Sequence, residues 1–329
     1  MVKQDLSERI DVMRSIGADA VREGLFMPDC IGLMSEVLSA VSAGEVDQPI
    51  RTVMEMGDAG RLLGLMPSYW RARGIAGTKV ITVVPQNHQS GLPSHQGGIF
   101  VFRADTGEPL AVVDGESVTA IRTAAVSAVA TDVLARPEAS RLALIGTGTQ
   151  ARQHFAAMAA VRPITEVSIW GRTESQAERL RAELVQIGAR GVWVASTIEE
   201  AVQAADIVCT VTAAREPILA GGWIKPGTHV NAVGACRPTD RELDSALIQR
   251  SRLYVDSRLA AENEAGDYLI PLHAGVIKED HIVGEIGEVL LRRIPGRQSL
   301  DEVTLFKSLG LAVEDLAAAH YLVEGRQRP

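Results

Sequence analysis

Residues 142–161 read LALIGTGTQARQHFAAMAAV: a short apolar run, a glycine-rich turn, then an alanine-rich stretch with helical spacing. Gly146, Gly148 and Ala151 form a G-x-G-x-x-A pattern. Alone that pattern says little. Its context says more, because strand-like and helix-like segments go on alternating. EVSIWGR (166–172), GVWVAS (191–196), DIVCTVT (206–212), HVNAVGA (229–235) and RLYVDS (252–257) read as buried strands. TESQAERLRAELVQIG (173–188), TIEEAVQAA (197–205) and DRELDSALIQRS (240–251) read as helices between them. The first of these is expected to open on a capping box, Thr173 with Gln176, and to close at Gly188. Such alternation predicts an α/β fold with a parallel, doubly wound sheet.

In that setting the glycine turn is expected to bind a dinucleotide. Gly146 would make the tight turn, Gly148 would admit a pyrophosphate, and Ala151 would allow close packing of helix on strand. The helix N-terminus would offer N–H groups and positive dipole to the phosphates. The end of the next strand selects the cofactor. Binders of NAD place a carboxylate there for the ribose 2′-hydroxyl. This chain reads Trp170-Gly171-Arg172-Thr173 instead. Arg172 suits a 2′-phosphate, so NADP(H) is the expected preference with NAD(H) possible; a merely solvated Arg172 is the alternative.

The first 120 or so residues have another texture. KVITVVP (79–85), GIFVFR (98–103) and PLAVV (109–113) are strand-like and are separated by turn-rich pieces, which predicts an α+β domain with hairpins. The segment LFKSLGLAVEDLAAAHYLVEG (305–325) is expected to be helical and to pack back on this domain. Three cations stand out: Arg51 in QPIRTVMEM, Lys79 at the start of a strand, and Arg122 inside the apolar run VTAIRTAAVSAVAT. An arginine in an apolar run is either paired or binding something, and a bidentate guanidinium suits a carboxylate. His95, in LPSHQGG, reads as a loop histidine or an acid/base group. Cys236, in NAVGACRPTDREL, reads as packing or as a nucleophile without an identifiable partner.

Net charge is −8, so a cationic pocket would have to be local, and nucleic acid is not an expected partner. Three cysteines give no disulfide framework, and seven scattered histidines show no metal-ligand spacing. The opening MVKQDLSERIDVMRS is too polar for a signal peptide, and no apolar run of membrane-spanning length is evident. A cytoplasmic protein with a small substrate, no metal and no membrane contact is the expectation.

Taken together, the segments QPIRTVMEM, KVITVVP, GLPSHQGGIFVF, VDGESVTAIRTAAVSAVAT, IGTGTQARQH, VSIWGRT, CTVTAAREPIL, IKPGTHVNAVGACRPTDREL, YVDS and LFKSLGLAVED resemble the ornithine cyclodeaminase/mu-crystallin family. They run in the family's order from about residue 47 to 320. The resemblance implies a homodimer with a Rossmann-type domain, here 123–305, and a substrate-binding and dimerisation domain built from both chain ends, here 1–122 plus 306–329. It implies that Arg51, Lys79 and Arg122 contact the substrate carboxylate and the reaction centre. Thr149 and Gln150 match the phosphate loop, with Gly146, Thr147 and Gly148. Gly171, Arg172 and Thr173 match the segment that holds NADPH in the mu-crystallin branch. Ser94, His95, Thr123, Thr212, Val233 and Ser308 fall where relatives line the cofactor.

Two departures narrow the activity. Cyclodeaminases carry an aspartate just after the VNxxGG strand, where this chain has Ala235, and a glutamate before LMP, where it has Gly64. The surviving GACRPTDREL is similar to the GASRPDWREL type of the ketimine-reductase branch. The resemblance thus implies NAD(P)H-dependent reduction of cyclic imine carboxylates, Δ1-pyrroline-2-carboxylate or Δ1-piperideine-2-carboxylate, to L-proline or L-pipecolate. Ornithine cyclodeaminase, an alanine-dehydrogenase-type oxidoreductase and a non-catalytic NADPH-dependent binding protein are the alternatives.

Overall fold

The computed structural model describes residues 13–57 and 60–325. Most of the opening segment that bears on a signal peptide therefore lies outside the described residues. The chain divides into two compact units, one of residues 1–122 with 311–329 and one of 123–310.

The first unit is built on a seven-stranded sheet. Its spine runs Pro109–Asp114, His95–Arg103, Ile75–Val83 and Leu62–Trp70, each antiparallel to the next. Arg14–Ile16 adds in parallel at one edge, and Val46–Asp47 and Thr52–Glu55 both pair with Leu62–Trp70. The helices Met27–Ser42 and Ala312–Glu324 pack on each other, and the latter lies on the central strands. Ala312–Glu324 is buried from Ala312 to Ala319, including Glu314 and Asp315. An acidic pair in a buried helical turn needs cations, and the site below supplies them.

The second unit carries an eight-stranded, wholly parallel sheet. Its order is Val192–Val194, Glu166–Trp170, Arg141–Ile145, Ile207–Thr210, His229–Ala232, Thr304–Lys307, Arg252–Val255, Ile282–Glu285. Chain order reverses between Arg141–Ile145 and Ile207–Thr210, the point at which open α/β sheets bind ligands. Strands buried on both faces read as apolar runs, which is why most of them were legible.

Three expectations need correction. Residues 304–307 are not helical: Thr304–Lys307 is a strand, buried throughout, between His229–Ala232 and Arg252–Val255. The boundary expected at residue 306 accordingly falls at 310/311. The capping box at Thr173 is absent: the helix Glu174–Gln186 starts with no side-chain cap, and the Gln176 amide oxygen faces the Thr147 hydroxyl at 3.5 Å. Finally, the helix Gly115–Leu134 is long and apolar enough to cross a membrane, yet 83% of that stretch is buried inside the protein, as in a core helix.

Candidate active site

In the first unit, Lys79 and Arg122 come together, and both are buried. Lys79 lies mid-strand in Ile75–Val83, and Arg122 lies on Gly115–Leu134. They meet at Asp315. The Lys79 ammonium donates to Asp315 Oδ1 at 3.1 Å and Oδ2 at 3.2 Å. Arg122 donates from Nε to Oδ1 at 2.9 Å and from Nη2 to Oδ2 at 3.3 Å. Its Nη1 donates to Glu314 Oε2 at 2.7 Å. Lys79 also donates to Thr119 Oγ1 at 2.5 Å, and that hydroxyl donates to the Gly115 carbonyl at 2.6 Å. Arg51 is half-buried just before Thr52–Glu55 and adds its charge to the field at Lys79.

Burial drives Lys79 below the ordinary lysine value, to about 8; Asp315 opposes this, and Arg122 and Arg51 reinforce it. Burial also works against charge on Asp315, but Arg122 and Lys79 outweigh it and hold the carboxyl below the usual carboxylate range. Sequence reasoning missed Glu314, Asp315 and Thr119. A signal for the acids was present: GLAVEDLAAA sets two carboxylates in an apolar run, the same anomaly that marked Arg122. Ser94 and His95 also belong to this unit. His95 begins the strand His95–Arg103 and is exposed, with its Nδ1 3.1 Å from Ser94 Oγ.

In the second unit, the glycine turn follows Arg141–Ile145 and opens the helix Thr149–Val161. Gly146 has φ +127°, and a Cβ there would lie 2.8 Å from the Val211 carbonyl oxygen, so only glycine fits. Gly148 has an ordinary φ of −85°, and a Cβ there would meet nothing within 4 Å. Its value is the open space before it, beside a helix N-terminus. That cradle fits a pyrophosphate. Ala151 is fully buried. Thr149 and Gln150 form the first helical turn.

Thr147 reaches across to the next strand end. A Cβ on Gly171 would lie 2.4 Å from Thr147 Cγ2, so a side chain at 171 would force that loop apart. Arg172 and Thr173 follow, both exposed. Thr123 is buried at the start of this unit.

Thr212, Val233 and Ser308 lie just beyond the carboxyl ends of three adjacent strands. Val233 N–H donates to the Thr210 carbonyl at 3.0 Å, and Ser308 N–H to the Ala232 carbonyl at 3.0 Å. The loop carrying Ser308 is held by Asp256, whose Oδ2 accepts from Leu309 N at 2.5 Å and Gly310 N at 2.8 Å.

The strand end at NAVGACRPTDREL differs from its reading as packing around a small thiol. Cys236 is exposed. Ala235 is buried, and its carbonyl accepts from Lys307. An acid does reach this strand end from later in the chain. Glu242 is wholly buried, and burial raises its pKa, with Lys307 acting against the rise. Its Oε1 accepts from Thr212 N at 2.8 Å and Thr212 Oγ1 at 2.6 Å. Its Oε2 accepts from Thr210 Oγ1 at 2.7 Å and Gly234 N at 2.8 Å. Both oxygens are therefore taken by the scaffold. Lys307 pairs with Asp267 at 2.9 Å, and Asp267 accepts from Glu242 N at 2.9 Å and Leu243 N at 3.0 Å. Burial opposes charge on Lys307, but Asp267 and Glu242 hold its pKa above the lysine value.

Comparison with known proteins gives a consistent picture. The model of the ornithine cyclodeaminase/mu-crystallin family matches residues 12–328. Ketimine reductase mu-crystallin from Mus musculus is 44% identical over 276 residues, covering 84% of each chain. The structure of Thermococcus litoralis Δ1-pyrroline-2-carboxylate reductase in complex with NADH and L-proline superposes with a TM-score of 0.92 at 35% identity, covering 95% of this chain and 97% of that one. An archaeal alanine dehydrogenase dimer with bound NAD gives a TM-score of 0.89 at 30% identity, with 95% of each chain covered. The parallel sheet with its glycine turn is a Rossmann-type domain, and the chain belongs to the ornithine cyclodeaminase/mu-crystallin family.

Proposed function

We propose that this protein is an NAD(P)H-dependent oxidoreductase that reduces the C=N bond of cyclic imine carboxylates, Δ1-pyrroline-2-carboxylate or Δ1-piperideine-2-carboxylate, to L-proline or L-pipecolate. The observation that carries the reading is the buried Lys79 ammonium, with a pKa near 8, set beside Arg122 and within the field of Arg51. Such a group suits an anionic substrate whose nitrogen must gain a proton. Relatives named as imine reductases support the same chemistry.

In this reading Arg51, Lys79 and Arg122 hold and orient the substrate carboxylate. Lys79 gives a proton to the imine nitrogen, which makes the carbon a better hydride acceptor. Gly146, Thr147, Gly148, Thr149 and Gln150 hold the cofactor pyrophosphate. Gly171, Arg172 and Thr173 receive the adenosine end, with Arg172 on a 2′-phosphate, so NADP(H) is preferred over NAD(H). Ser94, His95, Thr123, Thr212, Val233 and Ser308 line the rest of the cofactor. When bound, the reduced cofactor supplies the hydride. The protein's share is positioning, which is worth several kcal/mol when reacting atoms are held about 3–3.5 Å apart.

The lyase alternative is disfavoured by Ala235 and Gly64. Glu242, an acid that does reach the strand end, has both oxygens engaged by Thr210, Thr212 and Gly234. A homodimer fits the apolar surface left by Met54 and Leu65, both exposed on one face of two paired strands of the first unit. Sedimentation velocity at micromolar concentration tests it: a monomer would oppose that assignment.

The substrate assignment is tested with a pair of cyclic imines, one bearing the 2-carboxylate and one without it. The carboxylate should raise kcat/KM by at least about a hundredfold, the scale of about 3 kcal/mol for a charge-assisted bidentate contact. Equal turnover of the two would refute carboxylate recognition.

A further inference from the structure

Resting on the imine-reductase reading, we propose that Asp315 is the positioning residue for proton delivery: it holds Lys79 as a charged proton donor beside the substrate and keeps its own charge paired when that proton has left.

The geometry is specific. Asp315 is fully buried, and each of its oxygens accepts from both Lys79 and Arg122. The guanidinium takes the carboxylate through two nitrogens in the fork arrangement. The ammonium straddles both oxygens, so one N–H can serve Asp315 while another turns to a substrate. Thr119 takes a further N–H at 2.5 Å and fixes the direction of approach.

The step balances. A Lys79 N–H bond breaks, its electron pair stays on Lys79, and an N–H bond forms at the imine nitrogen. Hydride from the reduced cofactor then adds to the carbon, and the C=N π pair becomes the lone pair of the amine. Lys79 recovers its proton from water. During the interval in which Lys79 is neutral, Asp315 remains paired with Arg122. Without that second cation a buried carboxylate would be left unpaired, which burial strongly disfavours. Arg122, read from sequence as a clamp for substrate, thus also acts as the standing counter-ion of the proton donor's partner.

The charged and titratable groups facing the cluster come from several elements. Arg122 lies on Gly115–Leu134, Glu314 and Asp315 on Ala312–Glu324, and Arg51 before Thr52–Glu55. Cys30, with Asp29, lies on Met27–Ser42; burial pushes its thiol pKa well up, so it stays neutral, and Arg122 and Glu314 act on it. Asp315 is the carboxylate that opposes the fall in the Lys79 pKa. Removing its charge leaves Lys79 facing cations in a buried site.

The test is the pH profile of kcat/KM for imine reduction in the wild type, Asp315→Asn and Asp315→Glu. The wild type should lose activity as pH rises through about 8, where Lys79 deprotonates. Asp315→Asn should move that limb to lower pH by about one unit or more, as loss of an adjacent opposite charge requires, with kcat/KM at pH 8 down at least about fivefold. NADPH affinity, read by fluorescence titration, should stay within about twofold, since those contacts are made elsewhere. An unmoved limb in folded Asp315→Asn overturns the proposal. If that variant does not fold, Asp315→Glu decides. It keeps the charge but displaces it by one methylene, so the limb should stay in place while kcat falls at least about tenfold; full kcat overturns the proposal. A wild type without imine reduction defeats the reductase reading itself and this inference with it. A reducing wild type with an unmoved limb in Asp315→Asn defeats only the role of Asp315.

Discussion

Glu242 holds Thr212 at two points: the Thr212 backbone N–H and its hydroxyl both donate to the same carboxylate oxygen, at 2.8 and 2.6 Å. The other oxygen takes Thr210 Oγ1 and Gly234 N. One buried side chain thereby ties the ends of two neighbouring strands. We predict that Glu242→Gln, which turns an amide N–H2 toward groups that donate, lowers stability by about 2–4 kcal/mol. It should also weaken NADPH binding, because Thr212 loses its anchor. Chemical denaturation and a cofactor titration check both; an unchanged pair of values would count against this role for Glu242.

The two glycines of the turn should separate fold from binding. Gly146→Ala meets the Val211 carbonyl and a strained φ, and should cost about 2 kcal/mol or more. Gly148→Ala puts a methyl into open space at an ordinary φ, and should change stability by no more than about 0.5 kcal/mol. The same methyl would stand where the pyrophosphate approaches, and should weaken NADPH binding at least about tenfold. Thermal melts with and without NADPH distinguish the two. Tight NADPH binding by Gly148→Ala would show that phosphate does not pass there.

Arg172 is exposed at the second strand end, beside a glycine that Thr147 crowds. Arg172→Asp should shift preference from NADPH toward NADH, by at least about tenfold in the ratio of kcat/KM values. Unchanged NADPH affinity in this variant would mean that Arg172 does not touch a 2′-phosphate.

Acid should destabilise the second unit through His154. Its Nδ1–H donates to the Gln150 carbonyl at 2.8 Å, and its Nε2 accepts from the Ser127 hydroxyl at 2.9 Å, an arrangement for the neutral ring. Burial lowers its pKa to about 4, against an unfolded value near 6.5. The unfolded chain therefore binds the proton first as pH falls. The stability this group contributes is complete above about 6.5 and drains away down to about 4, reaching about 3 kcal/mol. Denaturant melts from pH 7.5 to 4.5 should show wild type losing stability faster than His154→Gln; parallel curves would contradict this.

Much of the dinucleotide-binding unit was legible because its strands are buried on both faces and so read as apolar runs. Thr304–Lys307 escaped notice because it has only four residues and ends in a lysine. That lysine is tolerated in the interior by Asp267 and the Ala235 carbonyl, partners distant in sequence. The same limit hid the far half of the buried cluster around Lys79 and Arg122. Arg122 announced itself as a charge in an apolar run, but nothing local says that its partners lie 192 and 193 residues away. Single carboxylates such as Glu242 and Asp256 look like ordinary surface acids until the chain brings strand ends around them.

The central claim is tested most directly by mixing the protein with NADPH and Δ1-pyrroline-2-carboxylate, following the absorbance of the reduced cofactor, and resolving the product on a chiral column. NADPH should disappear in step with formation of L-proline. No consumption of NADPH, together with ammonia release from ornithine in the presence of NAD, would contradict it.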